Sequence, residues 1–229
     1  VYQSPTDMGV NRVGFGITDD EAISEASKQE IIRRSFDTEC DYKKGLSDEE
    51  TRDHMRLIME ELELKQEDRA PVKPARAYAE RLMKRTVDNE IPAVIAFELN
   101  DGRIITGRTS DLMDACSSAT LNAIKALANI SDDILLLSPV ILEPIKKLKS
   151  DGLHKRIPTL TANEILIALS ISAVTNPTAQ LAYDKLSELK DVQAHSTVIL
   201  NKDDDQILRN LGLDITCDPV YPSENLYYV

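Results

Sequence analysis

The feature that most constrains this chain is a change of period at Ile91-Pro92. Before it, apolar residues recur at helical spacing. After it come short β-branched runs set between turn signals. Met55, Ile58, Met59 and Leu62 fall at i, i+3, i+4 and i+7, and Ala75, Tyr78, Ala79 and Leu82 repeat the spacing after Pro71 and Pro74. An earlier helix opens at Asp19-Asp20-Glu21, where acids favour a helix N-terminus, carries Ile23, Ile31, Ile32 and Phe36, and ends near Gly45. Beyond Pro92, Val94 to Leu99 is a β-rich run, Asn100-Asp101-Gly102 is a tight-turn signal, and Ile104 to Thr106 answers it, so a hairpin is expected. The chain therefore divides into an entry loop over residues 1–18, a helical subdomain over 19–90 and an α/β subdomain over 91–229.

The α/β part continues with a buried helix from Ala115 to Ala128 and a fully apolar run, Ile134 to Leu137, of the kind found in a covered strand. A helix ending at Lys149 follows, then one opened by Thr161 with Glu164 three residues on, a capping box. Asn176-Pro177 ends that helix and starts another. Val198 to Leu200 and Leu213 to Thr216 read as strands flanking a helix from Asp203 to Leu211. Alternation of this kind predicts a three-layer αβα arrangement around a mixed sheet.

Composition narrows the function. Apolar residues make up 42% and charged residues 29%, the balance of an ordinary globular chain. The net charge of -12, with no basic cluster longer than Lys146-Lys147-Leu148-Lys149, argues against nucleic acid, whose binding rests on clustered Lys and Arg. The acidity is concentrated in residues 19–69, which hold 17 acids and 9 bases. No apolar run nears the roughly 20 residues of a membrane span, and no secretory pattern opens the sequence. Cys40, Cys116 and Cys217 are odd in number and far apart, so a disulfide framework is not expected and a reducing cytoplasm is.

The hairpin with Asp101-Gly102 at its turn, then Thr106-Gly107, a loop and a helix starting at Cys116, resembles the core of the cytidine deaminases. Those enzymes open this helix with a His or Cys two residues before a Glu, and a later helix with Pro-Cys-x-x-Cys. Here the first element reads Cys116-Ser117-Ser118 and the second Pro139-Val140-Ile141-Leu142-Glu143. The resemblance therefore implies the deaminase framework without its zinc ligands, and no metal is expected. The longer runs Ser4-Pro5-Thr6-Asp7-Met8-Gly9-Val10-Asn11, Glu25 to Arg34, Asp101 to Gly107 and Ala194 to Leu200 resemble the bacterial uncharacterised protein family 0371 from about Tyr2 to Pro219. Members of that family are longer and carry an N-terminal Gly-rich, phosphate-loop-like region. The resemblance thus implies a C-terminal portion of a larger cytoplasmic protein, with the missing N-terminal region as its first partner. No cofactor is expected in this chain itself; a nucleotide is expected of the full-length protein.

Candidate site residues follow. Cys116 and His195 are the candidate catalytic groups, though a Cys at the head of an apolar helix is more often packing, and a His at a strand end is as often structural. Ser117 and Ser118 could hold an anion at a helix N-terminus, with Thr109, Ser196 and Thr197 facing the same cleft. Asp7 and Asn11, in the entry loop, are the remaining ligand candidates. Three functions are open: a nucleotide or phosphorylated small-molecule site, an assembly module in a homo-oligomer, or a hydrolase or deaminase using Cys116.

Overall fold

A computed structural model of the chain describes residues 20–84, 92–154 and 159–222. Eight α-helices and four strands occur among them. The chain divides into two compact units, Val1–Arg69 and Ala70–Val229.

The first unit holds α1 (Asp20–Lys44) and α2 (Glu49–Glu61). Asp48 caps α2, its carboxylate accepting from the Thr51 N–H at 2.8 Å. Arg56 Nε reaches Glu39 Oε1 at 2.8 Å and ties the two helices together at the surface. Gln29 Nε2 donates to the Asp68 carbonyl at 3.2 Å and binds the short turn Gln66–Asp68 to α1.

The second unit opens with α3 (Val72–Met83), then β1 (Val94–Glu98) and β2 (Ile104–Arg108). The third helix of the expected helical subdomain thus lies in the second unit, and the division falls at Arg69–Ala70 instead of 90–91. The reason is its apolar stripe: Ala75 and Ala79 pack on Val94 and Ala96 of β1. Among the described residues from 20 to 84 every regular element is helical, and the first strand begins at Val94.

Next come α4 (Ala115–Leu127), α5 (Pro139–Lys147), α6 (Ala162–Ala173), α7 (Pro177–Asp184), β3 (Gln193–Ser196), α8 (Lys202–Asn210) and β4 (Asp214–Cys217). Thr161 and Glu164 form the capping box of α6, and Asn176 caps α7. The sheet order is β2-β1-β3-β4; β1 is antiparallel to both neighbours and β3 is parallel to β4. Strand alternation gives each face its own partners. Ala96, His195 and Thr216 share one register and one face, the side covered by α3. Ile95 and Phe97 of β1, Ala194 of β3 and Ile215 of β4 point the other way and join α4, α6 and α7 in the main core. Gly107 lets α4 close on this face. A Cβ there would sit 2.1 Å from the Ala119 backbone nitrogen.

Two expected strands differ. Ile134 to Leu137 is irregular: Leu136 and Leu137 are buried, Leu135 is exposed, and Lys125 Nζ takes the carbonyls of Asp132 and Ile134 at 2.9 and 2.8 Å. A buried ammonium holds this backbone where strand pairing was expected. The strand read at Val198 to Leu200 lies at Gln193–Ser196. His195 and Ser196 are buried, bonded to the Thr216 hydroxyl and the Val198 carbonyl, which removes the apolar signature of an inner strand. No described helix is long and apolar enough to cross a membrane.

Candidate functional site

Because β1 runs antiparallel to β2 and β3, the strands β2, β3 and β4 all end on one side of the sheet. Open α/β sheets bind ligands outside such carboxyl ends. There the first turns of α4, α6 and α8 come together through their caps. The Asp114 N–H donates to the Leu160 carbonyl at 3.0 Å, and Asp114 Oδ1 accepts from the Ser117 N–H at 2.7 Å. Asn201 caps α8, accepting from the Asp204 N–H at 2.8 Å, and its side-chain amide donates to Asp204 Oδ2 at 2.5 Å. Asp204 is buried, and the Asp114 carboxyl is among the groups that act on its own. Lys149, also buried, donates to Glu164 Oε2 at 2.7 Å and to the Thr159 carbonyl at 2.6 Å.

Burial pushes the Asp114 carboxyl up to about 6, and the Asp204 charge adds to the effect. Burial raises Asp204 as well, against the hydrogen bond from Asn201. Cys116 sits in the same surroundings with 1% of its surface exposed. Burial raises its thiol far above the ordinary range, and Asp204, Asp114 and Asp205 raise it further. The thiolate, which is the nucleophilic form, is disfavoured in those surroundings.

A second polar cluster occupies the α3 face. The Thr216 hydroxyl donates to the Ala194 carbonyl at 3.2 Å, so its oxygen accepts from His195 Nδ1 at 3.0 Å. His195 Nε2 faces Asp218 Oδ1 at 3.5 Å, and Arg76 Nη2 reaches the same oxygen at 2.6 Å. Burial raises the Asp218 carboxyl, but the facing His195 ring and the hydrogen bonds from Arg76 outweigh it and leave it below the ordinary carboxylate value.

Beside β2, at the free edge of the sheet, lies an open cleft of about 420 Å³. Leu121, Leu136 and Leu142 supply apolar lining, and Arg108, Ser110, Ser118 and Asn122 supply polar groups. Asn122 Nδ2 donates to the Thr106 carbonyl at 2.9 Å, which fixes its amide on the strand edge.

The expected site residues do not converge. Ser118 lines the cleft, but Ser117 is buried, its hydroxyl donating to the Leu160 carbonyl at 3.1 Å and its N–H already taken by Asp114. Asp114 thus occupies the helix N-terminus where an anion was expected. Thr109 is exposed just beyond β2. Ser196 points to the α4 face but spends its hydroxyl on the Val198 carbonyl at 2.7 Å, and Thr197 caps the start of β1, accepting from the Val94 N–H at 3.1 Å. His195 faces α3, on the opposite side of the sheet from α4, so it shares no cleft with Ser117 and Ser118. Asp7 and Asn11 lie outside the described residues. The second deaminase element also moves: Pro139 to Glu143 follows irregular chain, whereas the helix that follows a sheet strand is α8. No group of three or more His, Cys, Asp or Glu suited to a metal occurs among the described residues. Arg108, Asn122, Asp114 and Asp204 were not foreseen. An Asp just ahead of Ala115 and an Asn just ahead of Lys202 were the available signals, since both are preferred caps.

Residues 67–227 match the model of the domain of unknown function DUF1846, C-terminal, and residues 1–63 match that of the domain of unknown function DUF1846, N-terminal. The chain is similar to a UPF0371 protein of Clostridium botulinum (strain Eklund 17B / Type B), 60% identical over 228 residues that cover 100% of this chain and 45% of the relative. A UPF0371 protein of Clostridium tetani is 60% identical over 227 residues, 99% of this chain and 45% of the relative. One of Clostridioides difficile is 60% identical over 228 residues, 100% of this chain and 46% of the relative. The chain spans less than half the length of these curated relatives.

Proposed function

For a chain that belongs to the DUF1846 family, whose designation assigns no activity, we propose that the second unit contributes to a site for a nucleotide or another phosphorylated small molecule at the β2–α4 cleft. The observation that carries this reading is the pairing of apolar lining with several polar side chains in a cavity of about 420 Å³. That volume is in the range of small-molecule pockets, roughly 300–1,000 Å³. Leu121, Leu136 and Leu142 offer a surface for a flat ring. Arg108 offers a planar fork suited to phosphate oxygens, and Ser110, Ser118 and Asn122 offer hydroxyl and amide contacts. The β1–β2 hairpin followed by α4 is the part of the element order that supports a deaminase-like framework. The rest of a longer polypeptide would complete the site, and the free thiols of Cys40, Cys116 and Cys217 suit a reducing cytoplasm.

The test is a thermal-shift panel of nucleotides, sugar phosphates and inorganic phosphate on this chain and on Arg108→Ala and Ser118→Ala. A ligand at 100 times its Kd stabilises the native state by about 2.7 kcal/mol. A shift that Arg108→Ala abolishes supports the reading. A panel with no shift, or a shift untouched by both substitutions, refutes it.

A second reading, an assembly module, is favoured by α6. Ile167, Ile171 and Val174 form an exposed stripe 53%, 64% and 81% accessible on a helix whose one charged residue, Glu164, is already paired with Lys149. Contiguous apolar surface of this kind marks association sites. Sedimentation of the chain and of Ile171→Asp separates a dimer from a monomer.

A further inference from the structure

We infer that the Asp114–Asp204 carboxyl pair is a proton-dependent latch between the first turns of α4 and α8, closed when the two acids share one proton and loosened when both are ionised. The geometry leads to this. Asp204 is 3% exposed, and its Oδ2 is satisfied by Asn201, but Oδ1 is buried with no N–H or O–H donor in hydrogen-bonding geometry. The group beside it is the Asp114 carboxyl, itself an acceptor from the Ser117 N–H. Two ionised carboxylates cannot satisfy each other, and a buried acceptor without a donor is costly. A single proton on either acid supplies the missing donor.

The surroundings favour keeping that proton. On α8, Asp203 adds negative charge to Asp204; on α4, Cys116 contributes a neutral thiol. From the turn after α5, Lys149 acts on Asp114 in the opposite sense, but its ammonium is committed to Glu164 of α6 and to the Thr159 carbonyl. The Ala162 N–H at the start of α6 also favours the ionised form of Asp204, yet burial prevails and both acids stay above the ordinary carboxylate value, Asp114 at about 6. A folded value above the unfolded one means that the native state holds the proton more tightly. The latch's stabilisation is then fully present below the ordinary value of 3.8 and is lost as pH rises through about 6. The window lies between those limits. The first turn of α4 also carries Ser118, so the latch and the cleft share that turn.

The experiment follows unfolding of the whole chain between pH 4.5 and 8 for the native sequence, Asp204→Asn and Asp114→Asn. Each substitution keeps the shape and supplies a permanent N–H donor, and Asn caps a helix as well as Asp. The native transition of the sheet-bearing unit is expected to fall by about 5 °C from pH 5 to 7.5. Both variants flatten that fall and melt above the native protein at pH 7.5. Parallel profiles for all three proteins overturn the latch. Carboxyl carbon NMR on the native chain decides the matter even if a variant does not fold: Asp114 or Asp204 titrating above pH 5 supports it, and ordinary titration of both ends it.

Discussion

Arg76 meets Asp218 across most of the second unit's sequence, Nη2 to Oδ1 at 2.6 Å, and so fastens α3 to the end of β4. The carboxylate is 13% exposed and the guanidinium 29%, which places the pair between a surface bridge and a fully buried one. Arg76→Ala leaves Asp218 facing His195 alone and should cost about 2 kcal/mol in urea unfolding, less than the 3–5 kcal/mol of a fully buried pair. Asp218 is held below the ordinary carboxylate value, so its contribution is present at neutral pH and is lost as pH falls below about 4. The acid limb of the stability profile should therefore flatten in the variant. An acid limb identical to that of the native chain would show that the pair does not govern it.

Gly107 tests how closely α4 lies on the sheet. A Cβ would come within 2.1 Å of the Ala119 nitrogen and 2.5 Å of its Cα, both backbone atoms that cannot rotate away. Gly107→Ala should destabilise by about 3 kcal/mol or more. Gly102, at positive φ with nothing near its missing Cβ, is the contrasting control: Ala there costs only backbone strain, about 1–2 kcal/mol. Equal losses at the two glycines would argue against the α4 packing.

The cysteines should differ sharply in reactivity. Cys116 is buried beside two acids, whereas Cys217 is partly exposed. Alkylation at pH 8, read by mass spectrometry, should modify Cys217 at least roughly tenfold faster, with Cys116 reacting only through opening of the core. Early labelling of Cys116 would restore it as a candidate nucleophile.

Glu164 serves two partners through one oxygen, the Thr161 N–H at 2.8 Å and Lys149 Nζ at 2.7 Å. Glu164→Ala removes half of a capping box and leaves a buried ammonium with only the Thr159 carbonyl. The loss should be about 2–3 kcal/mol by chemical denaturation, and Glu164→Gln should recover part of it. Full recovery by Gln would show that the cap alone matters.

What could be read from the sequence was whatever is local. The hairpin was legible because Asn100-Asp101-Gly102 allows few other conformations, and α6 because Thr161 and Glu164 cap it within one turn. β3 was misplaced by several residues because an inner strand that buries His195 and Ser196 has no apolar run to announce it. Ile134 to Leu137 had that run without being a strand; two of its residues are simply anchors for a loop. The site was less legible still. Asp114 and Asp204 lie on different helices, and only the sheet's closure brings their carboxyls together. The deaminase resemblance drew attention to Ser117 and Cys116, whose polar atoms serve the interior.

The antiparallel placement of β1 also sets an order of events in synthesis. β1 finds one neighbour almost at once, across a short turn, but its other edge waits for β3, with Ile95 pairing to Ser196. Contacts that distant in sequence form late, since a long loop must close first. A nascent chain that has not yet reached Gln193 therefore holds Val-Ile-Ala-Phe with a bare edge, a template for pairing with another molecule. Ribosome-bound chains stalled just before and just after β3 should differ in aggregation, and translation speed through the α6–α7 region becomes a determinant of yield.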